Sequence, residues 1–139
     1  MRIGTTLLET GITVTLVGLV AGIAFPRFAG YRDRIAVDAA ATSAMAILAT
    51  ARHAALRRAA IVTVHLDTAG AIMVLASGPD TLVQRPLGEV HGVTLSVTRD
   101  SISWAPTGLG YGAANAQLIL QRGAAADTIA VSRLGRARR

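Results

Sequence analysis

The chain has 139 residues, room for one modest domain and one long appended element. It has no cysteine, which excludes a disulfide framework and thiol chemistry. All 14 basic residues are arginine, against 8 acids, for a net charge of +6. Arg133, Arg136, Arg138 and Arg139 crowd one end, a balance that suits anionic partners such as nucleic acid or lipid headgroups.

The first element is an apolar helix. From Thr10 to Pro26 there is no charged residue, a run of 17 positions. That is the short limit for crossing the hydrocarbon core, which takes roughly 17–25 residues. Gly18 and Gly22 make a G-x-x-x-G step that lets helix backbones approach closely. A secretory signal peptide is the rival reading, with Ala21-Gly22-Ile23-Ala24 as a loose cleavage site. Against it, the helical pattern continues past that site, and Glu9 is an unusual acid at the start of a signal core. Pro26 should kink or locally melt the helix.

Beyond Pro26 an alanine-rich stretch reads as a second helical segment, alanine being the best helix former. Tyr31, Ile35, Met45, Leu48 and Leu56 fall near whole turns of one another and are expected to form its apolar stripe. As one rod from about residue 5 to 60, the helix would be roughly 80 Å long at about 1.5 Å per residue. Its first half would lie in lipid and its second half would pack on a globular domain.

The period then changes to two. "IVTVHLD", "AIMVLAS", "TLVQRP", "VTLSVTR", "SISWA", "AQLILQR" and "DTIAVSR" are short strand candidates punctuated by Gly78-Pro79-Asp80, Gly88, Asp100, Gly108 to Gly112 and Gly123. They predict an antiparallel meander. The fold class is therefore α+β: a long N-terminal transmembrane helix, kinked near Pro26, then a small antiparallel β-sheet domain.

Glu9 is the residue that needs explaining. An ionised carboxylate within lipid costs about 2.5–3.5 kcal/mol. It is therefore expected at the interface or beside a cation. Gly4, Thr5, Thr6, Leu7, Leu8 and Glu9 together resemble the prepilin-type cleavage and methylation motif, whose usual form is Gly-Phe-Thr-Leu-x-Glu. Thr6 and Leu7 match its Thr-Leu step, and Thr5 stands where phenylalanine is usual. The resemblance implies that prepilin peptidase cuts after Gly4, that Thr5 becomes the N-methylated first residue, and that Glu9 is the assembly acid. A glycine at the cut leaves the backbone free to extend into a protease cleft. The cation nearest Glu9 would then be an N-terminal amine, its own or a neighbouring subunit's.

Further matches are similar to the GspH/FimT family of minor pseudopilins. Ala51, Arg52, Ala55, Val64 and Leu66 match its helix end and first strand. Trp104, Pro106 and Gly108 match an internal step, with Trp104 in place of phenylalanine. Ile129, Val131, Ser132, Gly135, Arg136 and Arg138 match its ending. Residues 68–100 carry no landmark of the family. The resemblance implies a structural subunit of a type II secretion pseudopilus or a type IV pilus. Its partners would be other pilin subunits, the peptidase and the inner membrane, with the C-terminal domain in the periplasm. It implies a leader over 1–4, the helix over 5–60 with its transmembrane part at about 7–26, and a β-domain over 61–139. In a second branch of the family, minor pilins bind DNA during uptake through a terminal G-R-x-R motif. Gly135, Arg136 and Arg138, followed by Arg139, are the candidate DNA-binding residues, because guanidinium forks suit sequence-independent phosphate contacts. The alternative is that Arg136 only caps the sheet.

Other signals carry less. "GLGYG" at 108–112 lacks dinucleotide-loop spacing and reads as a hairpin turn. His53, His65 and His91 are scattered, and Ser103 and Ser132 have no evident His/Asp arrangement. No enzyme, metal or cofactor is expected. Trp104 reads as a core residue.

Overall fold

The computed structural model describes residues 6–139. The cleavage-site residues Gly4 and Thr5 lie outside the described residues. Helix α1 runs from Leu7 to Arg58. It passes through Pro26 as one element, so of the kink or local melting expected there, melting does not occur. A proline removes one backbone donor, and the turns on either side keep the ladder continuous. The chain divides into two compact units after Arg32, and α1 contributes a part to each.

In the first unit, α1 is apolar on every side and its large side chains are exposed: Leu7 is 92% exposed, Leu16 57%, Val20 64% and Phe25 74%. The helix is long and apolar enough to cross a membrane. The hydroxyls of Thr10, Thr13 and Thr15 donate within the helix. Thr13 Oγ1 donates to the Glu9 carbonyl at 2.7 Å, and Thr15 Oγ1 donates to that of Gly11 at 2.8 Å. Such internal bonding is what an apolar solvent demands of a polar group.

In the second unit, α1 buries one narrow stripe. Val37, Ala40, Ala41, Ala44, Ile47, Leu48, Ala51, Ala54 and Ala55 recur at steps of three and four and are all buried. This differs from the expected stripe. Tyr31, Ile35 and Leu56 are 63, 52 and 46% exposed, and only Leu48 is fully buried. Small residues face the sheets because a methyl side chain lets a helix backbone sit close to a strand. Of the larger apolar residues, Tyr31, Ile35 and Leu56 are left on other faces.

Nine strands follow. β1 (Val62–Asp67), β2 (Ile72–Ser77) and β3 (Asp80–Pro86) are antiparallel neighbours, and a short helix α2 (Leu87–His91) ends that run. β4 (Thr94–Val97) leaves for a second sheet. β5 (Ser101–Trp104) returns to pair with β1, and β6 (Gly110–Tyr111) pairs with β5. β7 (Ala116–Arg122), β8 (Ala125–Val131) and β9 (Ala137–Arg138) complete the second sheet. The orders are β3-β2-β1-β5-β6 and β4-β7-β8-β9. All seven strand candidates are therefore strands, but they form two sheets rather than one meander. α2, β6 and β9 are additional, and β6 falls within the segment expected to be only a turn.

Strand alternation explains the core. In β1, Val62, Val64 and Leu66 are buried while His65 and Asp67 are exposed. Inward residues of both sheets, among them Met73, Leu75, Ile102, Leu118 and Ile129, join the alanine stripe in one hydrophobic core. Trp104, in β5, is fully buried there, as expected.

Candidate functional sites at the two ends of the chain

Glu9 sits in the first turn of α1 and is exposed. Its backbone N–H donates to Thr6 Oγ1 at 3.3 Å. Thr6 thus acts as the helix N-cap, and Thr6-x-x-Glu9 has capping-box spacing. A carboxylate here also faces the positive end of the helix dipole. Glu9 therefore has a local reason to be acidic, besides any role between subunits.

At the other end, β8 and β9 are joined by a tight turn. The Ser132 N–H donates to the Arg136 carbonyl at 2.9 Å, and the Gly135 N–H donates to the Ser132 carbonyl at 2.9 Å. Gly135 has φ 73°, the left-handed conformation that suits glycine. Its carbonyl accepts the Trp104 indole N–H at 3.1 Å. A Cβ on Gly135 would stand 2.5 Å from Trp104 Nε1. The glycine of the G-R-x-R ending is thus the point where the last hairpin seats on the core tryptophan.

The three arginines that follow have different surroundings. Arg139 is turned onto the protein: Nη2 pairs with Asp38 of α1, and Nε pairs with Asp127 of β8. The hydrogen bond to Asp38, then that to Asp127, raises the Arg139 pKa above its ordinary value. Arg136 and Arg138 are exposed, and among the described residues no acid pairs with either. With Arg52 and His53 of α1 they border an open groove of about 480 Å³ whose lining includes Met45, Leu48 and Ala49. A second guanidinium, that of Arg122, is structural in the same way as that of Arg139. Arg122 pairs with Asp33 at 3.0 Å and donates to the His91 carbonyl at 2.6 Å.

Sequence reasoning missed two of these groupings. It matched Arg52 only as a family landmark, and it gave Arg139 to DNA rather than to Asp38. Asp38 and Arg139 are 101 residues apart, so no local pattern links them. The clue to Arg52 was its place on the helix flank beside the buried Ala51.

Two crystal structures of the type IV minor pilin FimU from Pseudomonas aeruginosa share the fold. One superposes with a TM-score of 0.62 at 16% identity over 73% of this chain and 86% of that one. The other gives 0.60 at 15% identity over 73% and 90%. No family model and no curated protein matches the chain. The protein has a pilin-like fold: a long N-terminal helix followed by an antiparallel β-domain.

Proposed function

We propose that the protein is a minor subunit of a type IV pilus or of a type II secretion pseudopilus. The observation that carries this reading is the contrast within α1. Its first part exposes apolar side chains all round, and its second part buries one stripe in a hydrophobic core shared with the sheets. A helix of the first kind is stable only in lipid or against other helices of its kind. A pilin-like subunit meets both, first in the membrane and then in a fibre. On this reading residues 1–4 are a leader removed by prepilin peptidase after Gly4, Thr5 is then N-methylated, and Glu9 pairs with an N-terminal amine during assembly. The span lies at about 7–26 in the inner membrane, and residues 61–139 form a periplasmic domain. Its role is structural rather than enzymatic. The test is the intact mass of the mature protein. It should begin at Thr5, and Gly4→Leu should leave the full precursor; a cut near Ala24 instead would overturn the reading.

A second reading, DNA binding in natural transformation, rests on Arg136 and Arg138, which are exposed and unpaired among the described residues. Its support is narrower than the G-R-x-R pattern implies. Arg139 has two carboxylates of its own, and Gly135 has a packing role against Trp104.

A further inference from the structure

We infer that the groove between α1 and β9 is a docking site for an acidic, partly apolar peptide segment of another protein, bound in extended form. Three observations converge on that occupant. First, the charge at the groove has one sign. Arg52, Arg136 and Arg138 border it with His53, no acid is among its lining residues, and no acid among the described residues neutralises the three guanidiniums. The groove beside Arg139 differs, because two acids, Asp38 and Asp127, line it together with Arg34 and Arg139 and both pair with Arg139. Second, the lining is partly apolar. Leu48 is buried, Met45 is half-buried and Ala49 is exposed. Methionine is a flexible, adaptable surface for apolar side chains, whereas a sugar–phosphate backbone has little with which to cover it. Third, one wall is a sheet edge. β9 is the last strand of its sheet, so its outer side is unpaired. An extended peptide can add there as a further strand. Its alternate side chains would then turn to the apolar lining and to the guanidiniums.

The inference does not depend on the pilus reading, and its test is separate from the processing test. The full chain in non-ionic detergent micelles is titrated into a labelled peptide of alternating glutamate and leucine, and binding is followed by fluorescence anisotropy. Reference peptides alternate glutamine with leucine and glutamate with serine, and a short DNA duplex is the fourth probe. The glutamate–leucine peptide should bind about tenfold or more tightly than either reference peptide, the order expected when close charge pairs combine with apolar contact. The Arg52→Gln/Arg138→Gln double variant should lose that preference. So should Ala49→Glu, which changes an exposed helix position and leaves the core intact. Arg85→Gln, on the exposed side of β3, should keep it. Equal binding of the glutamate–serine peptide, or a preference untouched by the groove variants, would overturn the proposal. So would a duplex that binds more tightly than the peptide and is lost in the same variants; that result would assign the groove to nucleic acid.

Discussion

The two parts of α1 are both rich in apolar residues and face opposite demands. Before Arg32 the helix exposes leucine, valine, isoleucine and phenylalanine on every side, and among the described residues it makes no ion pair. From Asp33 on, it buries a stripe of alanines, and Asp33 and Asp38 fasten strands to it through Arg122 and Arg139. The difference shows that apolar content alone does not say where a helix belongs. What matters is whether the apolar surface surrounds the helix or runs in one narrow line, and how large its side chains are. A line of methyl groups suits close approach to a sheet. A bulky all-round surface suits a solvent or a bundle of like helices.

The largest effect should come from the first part. On the proposed reading Glu9→Ala is processed normally, keeps the stability of the β-domain, and enters fibres less by about tenfold or more, since close charge pairs between subunits are worth about 1.5 kcal/mol or more. Mass spectrometry and fibre fractionation check this, and normal incorporation would remove Glu9 from assembly. The next effect comes from size. Ala44 is fully buried, so Ala44→Leu should destabilise the domain by about 1–3 kcal/mol through overpacking. Gly18→Leu, at a position where a Cβ meets nothing within 4 Å, should move the transition by less than about 0.5 kcal/mol. Trp104 is the sole tryptophan and is buried, so its fluorescence during urea unfolding reads both variants. Equal shifts would erase the distinction between the two parts.

The sequence revealed more of the fold than of the sites. Strong period-two runs placed seven strands, because each has β-branched or leucine residues on one face and glycine or aspartate near its ends. It did not reveal that β4 would leave the first sheet, since strand order depends on pairings between distant segments. β6 and β9 have two residues each, too short for any period. The apolar stripe was misplaced because large residues were given more weight than alanine, which is small enough to pack closely and is therefore the buried face. At the sites, Gly135 was recognisable from its pattern but its reason was not. That reason is Trp104, brought beside it only by the β8–β9 turn.

The smallest effect tests whether the second part is held by charge as well as by packing. Arg139 bridges Asp38 and Asp127, so it joins α1 to β8. The Arg139 and Asp38 side chains are 38 and 65% exposed, and pairs in such positions are worth about 0.2–1 kcal/mol. Asp38→Asn and Asp127→Asn should each fall in that range at low salt. One carboxylate still anchors Arg139 in each single variant, so the double variant should cost more than the sum of the two. At about 1 M salt the screening length falls to about 3 Å, and most of these differences should vanish. Asp33→Asn is the internal reference, because Arg122 keeps its bond to the His91 carbonyl. It should show a single small loss with no dependence on Asp127. Urea midpoints that ignore both salt and the second substitution would mean that the alanine stripe alone holds the helix to the sheets.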